Sequence, residues 1–248
     1  MKKACEEARR IIVALDVGTK KEALSLVREL HSAEIFKVGL KLFMAEGPDL
    51  LKQIHHLGKK IFLDLKLHDI PNTVAQAVKM GTRHGVHMLT LHSSGGLEMM
   101  AQAVQAAGEE REKARPLLLA VTILTSLKDE DLRRIGVAHS TEAQVLSLAR
   151  LAKEAGMDGV VCSAQEIEMI RKEFGKDFLV VTPGIRPSWA RSHDQKRIMT
   201  PSLAVKKGAD YLVIGRPIIE ASSPREAFWK ICQELHGSID SSHSKNSS

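Results

Sequence analysis

Short apolar runs rich in β-branched residues alternate along the chain with longer segments whose apolar positions recur at helical spacing. The short runs fit strands buried on both faces, and the longer segments fit amphipathic helices laid against them. The pattern predicts strands over 11–17, 35–40, 60–67, 87–92, 117–124, 159–163, 178–182 and 211–214. It predicts helices over 20–31, 48–57, 73–84, 97–107, 141–155, 164–174, 201–207 and 224–235. Gly-Met-Asp before Gly159 and Gly-Ala-Asp before Tyr211 read as helix-to-strand turns, where glycine ends a helix in the left-handed conformation. Eight strand-then-helix units imply an α/β protein with a parallel sheet. That count over this length favours a single (β/α)8 TIM barrel over an open doubly wound sheet.

No composition shift marks a boundary inside the repeating pattern. The barrel is therefore expected over 11–236, after an N-terminal extension of 1–10. The stretch 237–248 is serine-rich with almost no apolar content and is expected to be disordered.

A length of 248 residues suits one large α/β domain, and 44% apolar with 27% charged residues is ordinary for a globular protein. The longest apolar runs are strand-length, so no membrane span is expected. The first ten residues mix acids and bases ahead of an apolar run that Asp16 interrupts, which does not fit a secretory signal and favours a cytoplasmic protein. Cys5, Cys162 and Cys232 are odd in number and far apart, giving neither a disulfide framework nor a zinc spacing, and read as reduced thiols. The formal charge of +6 admits nucleic acid or a phosphorylated small molecule as partner. The bases are scattered, however, and aromatic residues at 4% leave little for stacking single-stranded bases, so phosphate in a pocket is the better reading.

Chemistry concentrates in 61–73. Asp64 and Lys66 stand two apart in a strand and so share one side, while Leu63, Leu65 and Leu67 share the other. Charges on a face that would otherwise be core must pair or meet a ligand; a merely solvated strand face is the alternative. Asp69 brings a second acid where the strand ends, with a plain helix N-cap as its other reading. Ile70 and Pro71 then open a helix, and His68 is read as structural.

Barrels of this class carry their chemistry at the C-terminal ends of the strands. Asp16 follows the first strand, Lys37 lies in the second, Thr125 and Ser126 follow the fifth, Arg186 the seventh, and Gly215 and Arg216 the eighth. A glycine that lets backbone approach and an arginine that offers a bidentate fork fit a phosphate site after strand eight. The long polar loop 186–200 suits a lid over a ligand, with an ordinary solvated loop as the alternative.

At these residues the chain resembles the orotidine 5′-phosphate decarboxylase family over 11–217. The resemblance rests on the Asp-x-Lys-x-x-Asp-Ile-Pro-Asn-Thr run from Asp64 to Thr73, together with Ala-Leu-Asp at 14–16, Phe-Lys-Val-Gly at 36–39 and Val-Thr-Ile-Leu-Thr-Ser at 121–126. Thr-Pro-Gly-Ile-Arg-Pro at 182–187, Asp-Gln-Lys-Arg at 194–197 and Ile-Gly-Arg-Pro at 214–217 extend it. The resemblance implies a homodimeric barrel that converts orotidine 5′-phosphate to UMP, the last step of de novo pyrimidine synthesis, with no cofactor and no metal. It implies that Lys66 is the catalytic lysine in a charged array with Lys37, Asp64 and Asp69, and that Asp69 and Thr73 act in the site of the other subunit. Asp16 and Lys37 would meet ribose hydroxyls, and Thr125 and Ser126 the pyrimidine edge. Arg186, Gly215 and Arg216 would hold the phosphate, with Gln195 bridging from the lid.

The chemistry agrees with that assignment. Losing CO2 from C6 leaves a carbanion that the ring cannot delocalise, so positive charge and then a proton are needed beside C6, and a lysine ammonium supplies both. Burial disfavours a charged amine and neighbouring carboxylates favour it; Asp64 would also crowd the departing carboxylate. A metal-dependent sugar-phosphate lyase on the same fold is the first rival. Its second strand would need a carboxylate where this chain has Lys37, a cation that repels metal. A non-catalytic phosphate- or RNA-binding barrel is the second, and it gives no reason to set two acids around an inward lysine.

Overall fold

The computed structural model describes residues 6–110, 113–190 and 199–243. Eight parallel strands follow in chain order as a closed barrel, the architecture that the alternating pattern predicts. They are β1 (Ile11–Ala14), β2 (Ile35–Gly39), β3 (Lys60–Leu67), β4 (Met88–His92), β5 (Leu117–Val121), β6 (Gly159–Val161), β7 (Leu179–Thr182) and β8 (Tyr211–Ile214). The helices are α1 (Lys20–Glu29), α2 (Leu40–His56), α3 (Pro71–Arg83), α4 (Leu97–Glu109), α5 (Asp129–Arg134), α6 (Thr141–Glu154), α7 (Ile167–Phe174), α8 (Pro201–Lys207), α9 (Arg216–Ile219) and α10 (Pro224–His243). Contacts gather in two compact units, Met1–Ile61 with Pro183–Ser248, and Phe62–Thr182. Among the described residues no helix is long and apolar enough to cross a membrane.

In the first unit β1 lies between β2 and β8, with Ala14 opposite Lys37 and Val13 opposite Ile214. All four residues of β1 are buried, as expected of a parallel strand with neighbours on both edges. α1 opens with a capping box: Thr19 Oγ1 accepts the Glu22 N–H at 3.3 Å, and Glu22 Oε2 accepts the Thr19 N–H at 3.0 Å. These bonds occupy donors that a first helical turn leaves open. α2 joins two helical segments across Gly47, whose φ of 62° suits glycine alone at low cost, and Pro48 starts the second segment. The sequence marks that second segment. The first carries exposed Leu40 and Met44, which blurs the apolar stripe a helix is recognised by.

α10 runs to His243, past the predicted end at 235, and so takes in the first part of the stretch expected to be disordered. Adding a residue to an existing helix costs little once the first turn is formed, and here that outweighs the serine-rich composition. Residues 244–248 lie outside the described ones. Part of the expected N-terminal extension is a turn of 3-10 helix, Glu6–Arg10. Glu7 Oε1 stands 3.5 Å from His236 Nδ1 of α10.

In the second unit β3 pairs with β4, Leu63 opposite Leu89 and Leu67 opposite Leu91. Four residues of β3 thus advance against two of β4, a bulge that the pleat-based reading of 60–67 does not contain. β4 to β7 then pair in regular register. β5 stops at Val121 where the apolar pattern continues to 124, and α7 begins at Ile167 where helix was expected from 164. α5 is a helix the apolar pattern does not predict: its first turn is Asp129, Glu130 and Asp131, and Leu132 is its buried anchor. Cys162 and Cys232 are buried and in no disulfide among the described residues, and burial pushes the Cys162 thiol up. Cys5 lies outside the described residues.

Glu166, just ahead of α7, is a buried carboxyl whose Oε2 accepts the Ser163 N–H at 2.8 Å. Burial raises it above the ordinary carboxylate range, only partly opposed by the bonds from Ser163. A carboxyl raised in the folded state is deprotonated first in the unfolded chain, so its contribution to stability is lost as pH rises through the folded value. Glu166→Gln keeps an oxygen for the Ser163 N–H and removes the charge. Thermal unfolding at pH 4 and pH 7.5 is expected to show the variant gaining on the parent protein at the higher pH; an equal gap at both would refute the burial argument.

Candidate active site

The residues singled out in the sequence fall into two groups, one in each unit. In the first unit Lys37, the third residue of β2, is largely buried and reaches Asp16, two residues beyond Ala14, with Nζ 3.4 Å from Oδ1. Two glycines leave room for this pair. A Cβ on Gly39 would stand 3.1 Å from Lys37 Nζ, and one on Gly215 would stand 3.1 Å from Asp16 Oδ2 and 3.3 Å from the Ala14 Cβ. Gly215 precedes α9, whose first residue is the exposed Arg216. Arg186 is half-buried, and its N–H donates to Met199 O at 3.1 Å, which ties together the two ends of the loop read as a lid. Residues 191–198 of that loop, Gln195 among them, lie outside the described residues.

The second unit holds the central pair. Lys66 Nζ donates to Asp64 Oδ1 at 2.8 Å. Asp64 is largely buried and Lys66 about a third exposed, so the ammonium has a wet side while the carboxylate depends on the protein for its bonds. The solvated-face alternative fails for Asp64. The pair does not arise from simple alternation along a strand, however: Lys66 has φ 53°, and it is the positive-φ residue other than glycine among the described residues. The bulge between Leu63 and Leu67 is what aims the two charges at each other.

Two residues the sequence reading passed over complete this group. Thr90 of β4 is fully buried; its Oγ1 accepts the Lys66 N–H at 2.9 Å and donates to Asp64 Oδ1 at 3.0 Å. The signal was a lone hydroxyl in the apolar run Met88–His92. His92 closes β4 with its ring 5.7 Å from that of His68. Burial holds His92 below the ordinary histidine range, with neighbouring His68 and Lys66 adding to this and Asp64 opposing it.

Asp69 is not the N-cap of α3; Ile70 holds that position with no side-chain cap bond. The exposed Asp69 instead accepts the Ile70 N–H on Oδ1 at 2.7 Å. Thr73 is exposed in the first turn of α3, and Thr125 and Ser126 are exposed in the turn after β5. The structure thus joins Asp64 with Lys66 and Asp16 with Lys37, and leaves Asp69, Thr73, Thr125 and Ser126 open to solvent. Among the described residues no cluster of three or more His, Cys, Asp or Glu side chains is placed to hold a metal ion.

Fold and site together define a (β/α)8 barrel that carries a lysine–aspartate pair on its third strand. Residues 9–231 match the model of the orotidine 5′-phosphate decarboxylase / HUMPS family. The orotidine 5′-phosphate decarboxylase of Trichlorobacter lovleyi is 52% identical over 232 residues, covering 93% of this chain and 96% of the relative. That of Pseudoalteromonas translucida is 50% identical over 220 residues, covering 88% and 94%. The crystal structure of orotidine 5′-phosphate decarboxylase from Lactobacillus acidophilus superposes with a TM-score of 0.83 at 39% identity, over 92% of this chain and 99% of that one. The chain belongs to the orotidine 5′-phosphate decarboxylase / HUMPS family.

Proposed function

We propose that this chain converts orotidine 5′-phosphate to UMP without metal or cofactor, and that Lys66 carries the chemistry. The observation that carries the reading is the Asp64–Lys66 contact of 2.8 Å at the bulged end of β3. In the reaction the bond from C6 to the carboxylate breaks, CO2 leaves, and the electron pair stays on C6. The Lys66 ammonium stabilises that charge as it develops and then gives C6 a proton. The resulting amine regains a proton from water. Only stabilisation that grows toward the transition state raises the rate, and a fixed cation beside C6 has that property.

The remaining roles follow the family resemblance. Asp16 and Lys37 bind ribose hydroxyls, Thr125 and Ser126 the pyrimidine edge, and Arg186, Gly215 and Arg216 the phosphate, with Gln195 bridging from the lid. Phosphate lies far from C6, so its binding energy serves to close the loop and expel water. The exposure of Asp69 and Thr73 supports a homodimer in which each reaches the partner's site. Exposed Ile70 and Met80 on the same segment supply apolar surface that a second copy would cover. The absence of a strand-two carboxylate supports metal independence, since Lys37 stands there and repels a divalent ion. Buried cysteines that form no disulfide among the described residues fit a reducing, cytoplasmic setting.

Three outcomes test this reading. Lys66→Ala is expected to lower turnover of orotidine 5′-phosphate by about 10³-fold or more while UMP still binds; near-parent activity in an ultraviolet assay would refute the assignment. Mixing inactive Lys66→Ala and Asp69→Ala chains is expected to restore activity, because one site of each heterodimer then has both groups. Absence of complementation would count against a shared site. Turnover is expected to survive EDTA dialysis unchanged, and loss restored by Mg2+ would favour the metal-dependent rival.

A further inference from the structure

Thr90 is not among the residues to which the resemblance gives a role, yet it bonds both members of the central pair. Its hydroxyl is fully buried among apolar neighbours on β4, where a polar group must find partners. The chemistry fixes the direction of its two bonds. An ionised carboxylate only accepts, so the Thr90 O–H donates to Asp64 Oδ1 at 3.0 Å, which leaves the oxygen lone pair for the Lys66 N–H at 2.9 Å.

The second bond lies where β3 loses register. Between Leu63 and Leu67 the strand has two residues more than the stretch of β4 beside it, so regular carbonyl partners are missing there. The Thr90 hydroxyl takes the place of a ladder carbonyl for the Lys66 N–H. That same residue is held at φ 53°, a region L-residues with a side chain avoid and keep only when their surroundings enforce it. The strained residue is thus bonded at its backbone by Thr90 and at its Nζ by Asp64, which is itself bonded by Thr90.

We propose that Thr90 is a positioning residue for the reaction: its single hydroxyl locks the left-handed backbone of Lys66 and the carboxylate of Asp64 in one arrangement, and so sets where the ammonium points. The proposal rests on the reading of Lys66 as the group that meets C6. It makes Thr90 matter to kcat and not to nucleotide binding, since no phosphate, ribose or base contact is assigned to it.

Thr90→Val keeps the shape and removes both bonds, whereas Thr90→Ser keeps the hydroxyl and removes a methyl group. Thr90→Val is expected to lower kcat by about 10- to 100-fold, the scale of losing a hydrogen bond to a charged group, with little change in KM. Thr90→Ser is expected to stay close to the parent. Parent-like kcat in Thr90→Val, or equal damage in Thr90→Ser and Thr90→Val, would overturn the proposal, because the role would then be packing alone. Crystal structures of the parent and Thr90→Val give a reading independent of turnover. Loss of positive φ at Lys66, or of its contact with Asp64, is expected; retention of both overturns the proposal. Were the parent itself inactive on orotidine 5′-phosphate, the proposed reaction would fail, and these structures would still decide what Thr90 does. Should Thr90→Val not fold, Thr90→Ala takes its place in both measurements.

Discussion

The ion pair between Asp64 and Lys66 depends on β3 ceasing to be a regular strand at the point where the charges occur. Taking two charges out of water is tolerable only when each is bonded well. The bulge against β4, the left-handed backbone at Lys66 and the Thr90 hydroxyl together make those bonds. A left-handed lysine costs about 1–2 kcal/mol, and each hydrogen bond offsets about 0.5–1.5 kcal/mol, more where a charge takes part. The three bonds that meet here are of a size to hold the strain. Lys66 is held taut while one side of its side chain stays open to solvent, an arrangement suited to a cation that must meet a ligand.

A related economy of space governs the first unit. There the problem is room rather than backbone strain. Lys37 and Asp16 come together because β1 and β2 run parallel with Ala14 opposite Lys37, and because Gly39 and Gly215 place no side chain against either charge. Bulk apolar residues below, as in the fully buried β1, fix the backbone from which the charges project. In each unit the apolar sequence builds the frame from which paired charges project near the C-terminal end of a strand.

Much of this was legible in advance because buried parallel strands announce themselves as short apolar runs. β3 and β8 are found at the predicted bounds, and α8 also, held between the Thr200 cap with Pro201 and the left-handed Gly208. Part of what escaped depends on neighbours distant in sequence, and the rest on local exceptions to the pattern. The bulge in β3 exists only against β4, and the importance of Thr90 is invisible until the two strands lie side by side. Asp69 fits a cap by position, yet Ile70 takes that place because the chain turns one residue later. The first half of α2 hides because its exposed Leu40 and Met44 break the expected stripe, and α5 hides behind its run of acids.

The 3.5 Å approach of Glu7 to His236 has a consequence for protein engineering. Positions 7 and 236, far apart along the polymer, are spatial neighbours, so a short glycine-rich connector could fuse the two flanks and new ends could be opened in a solvent-exposed turn. The domain would then tolerate circular permutation, with every strand keeping its neighbours while the order in which a ribosome makes them is rearranged.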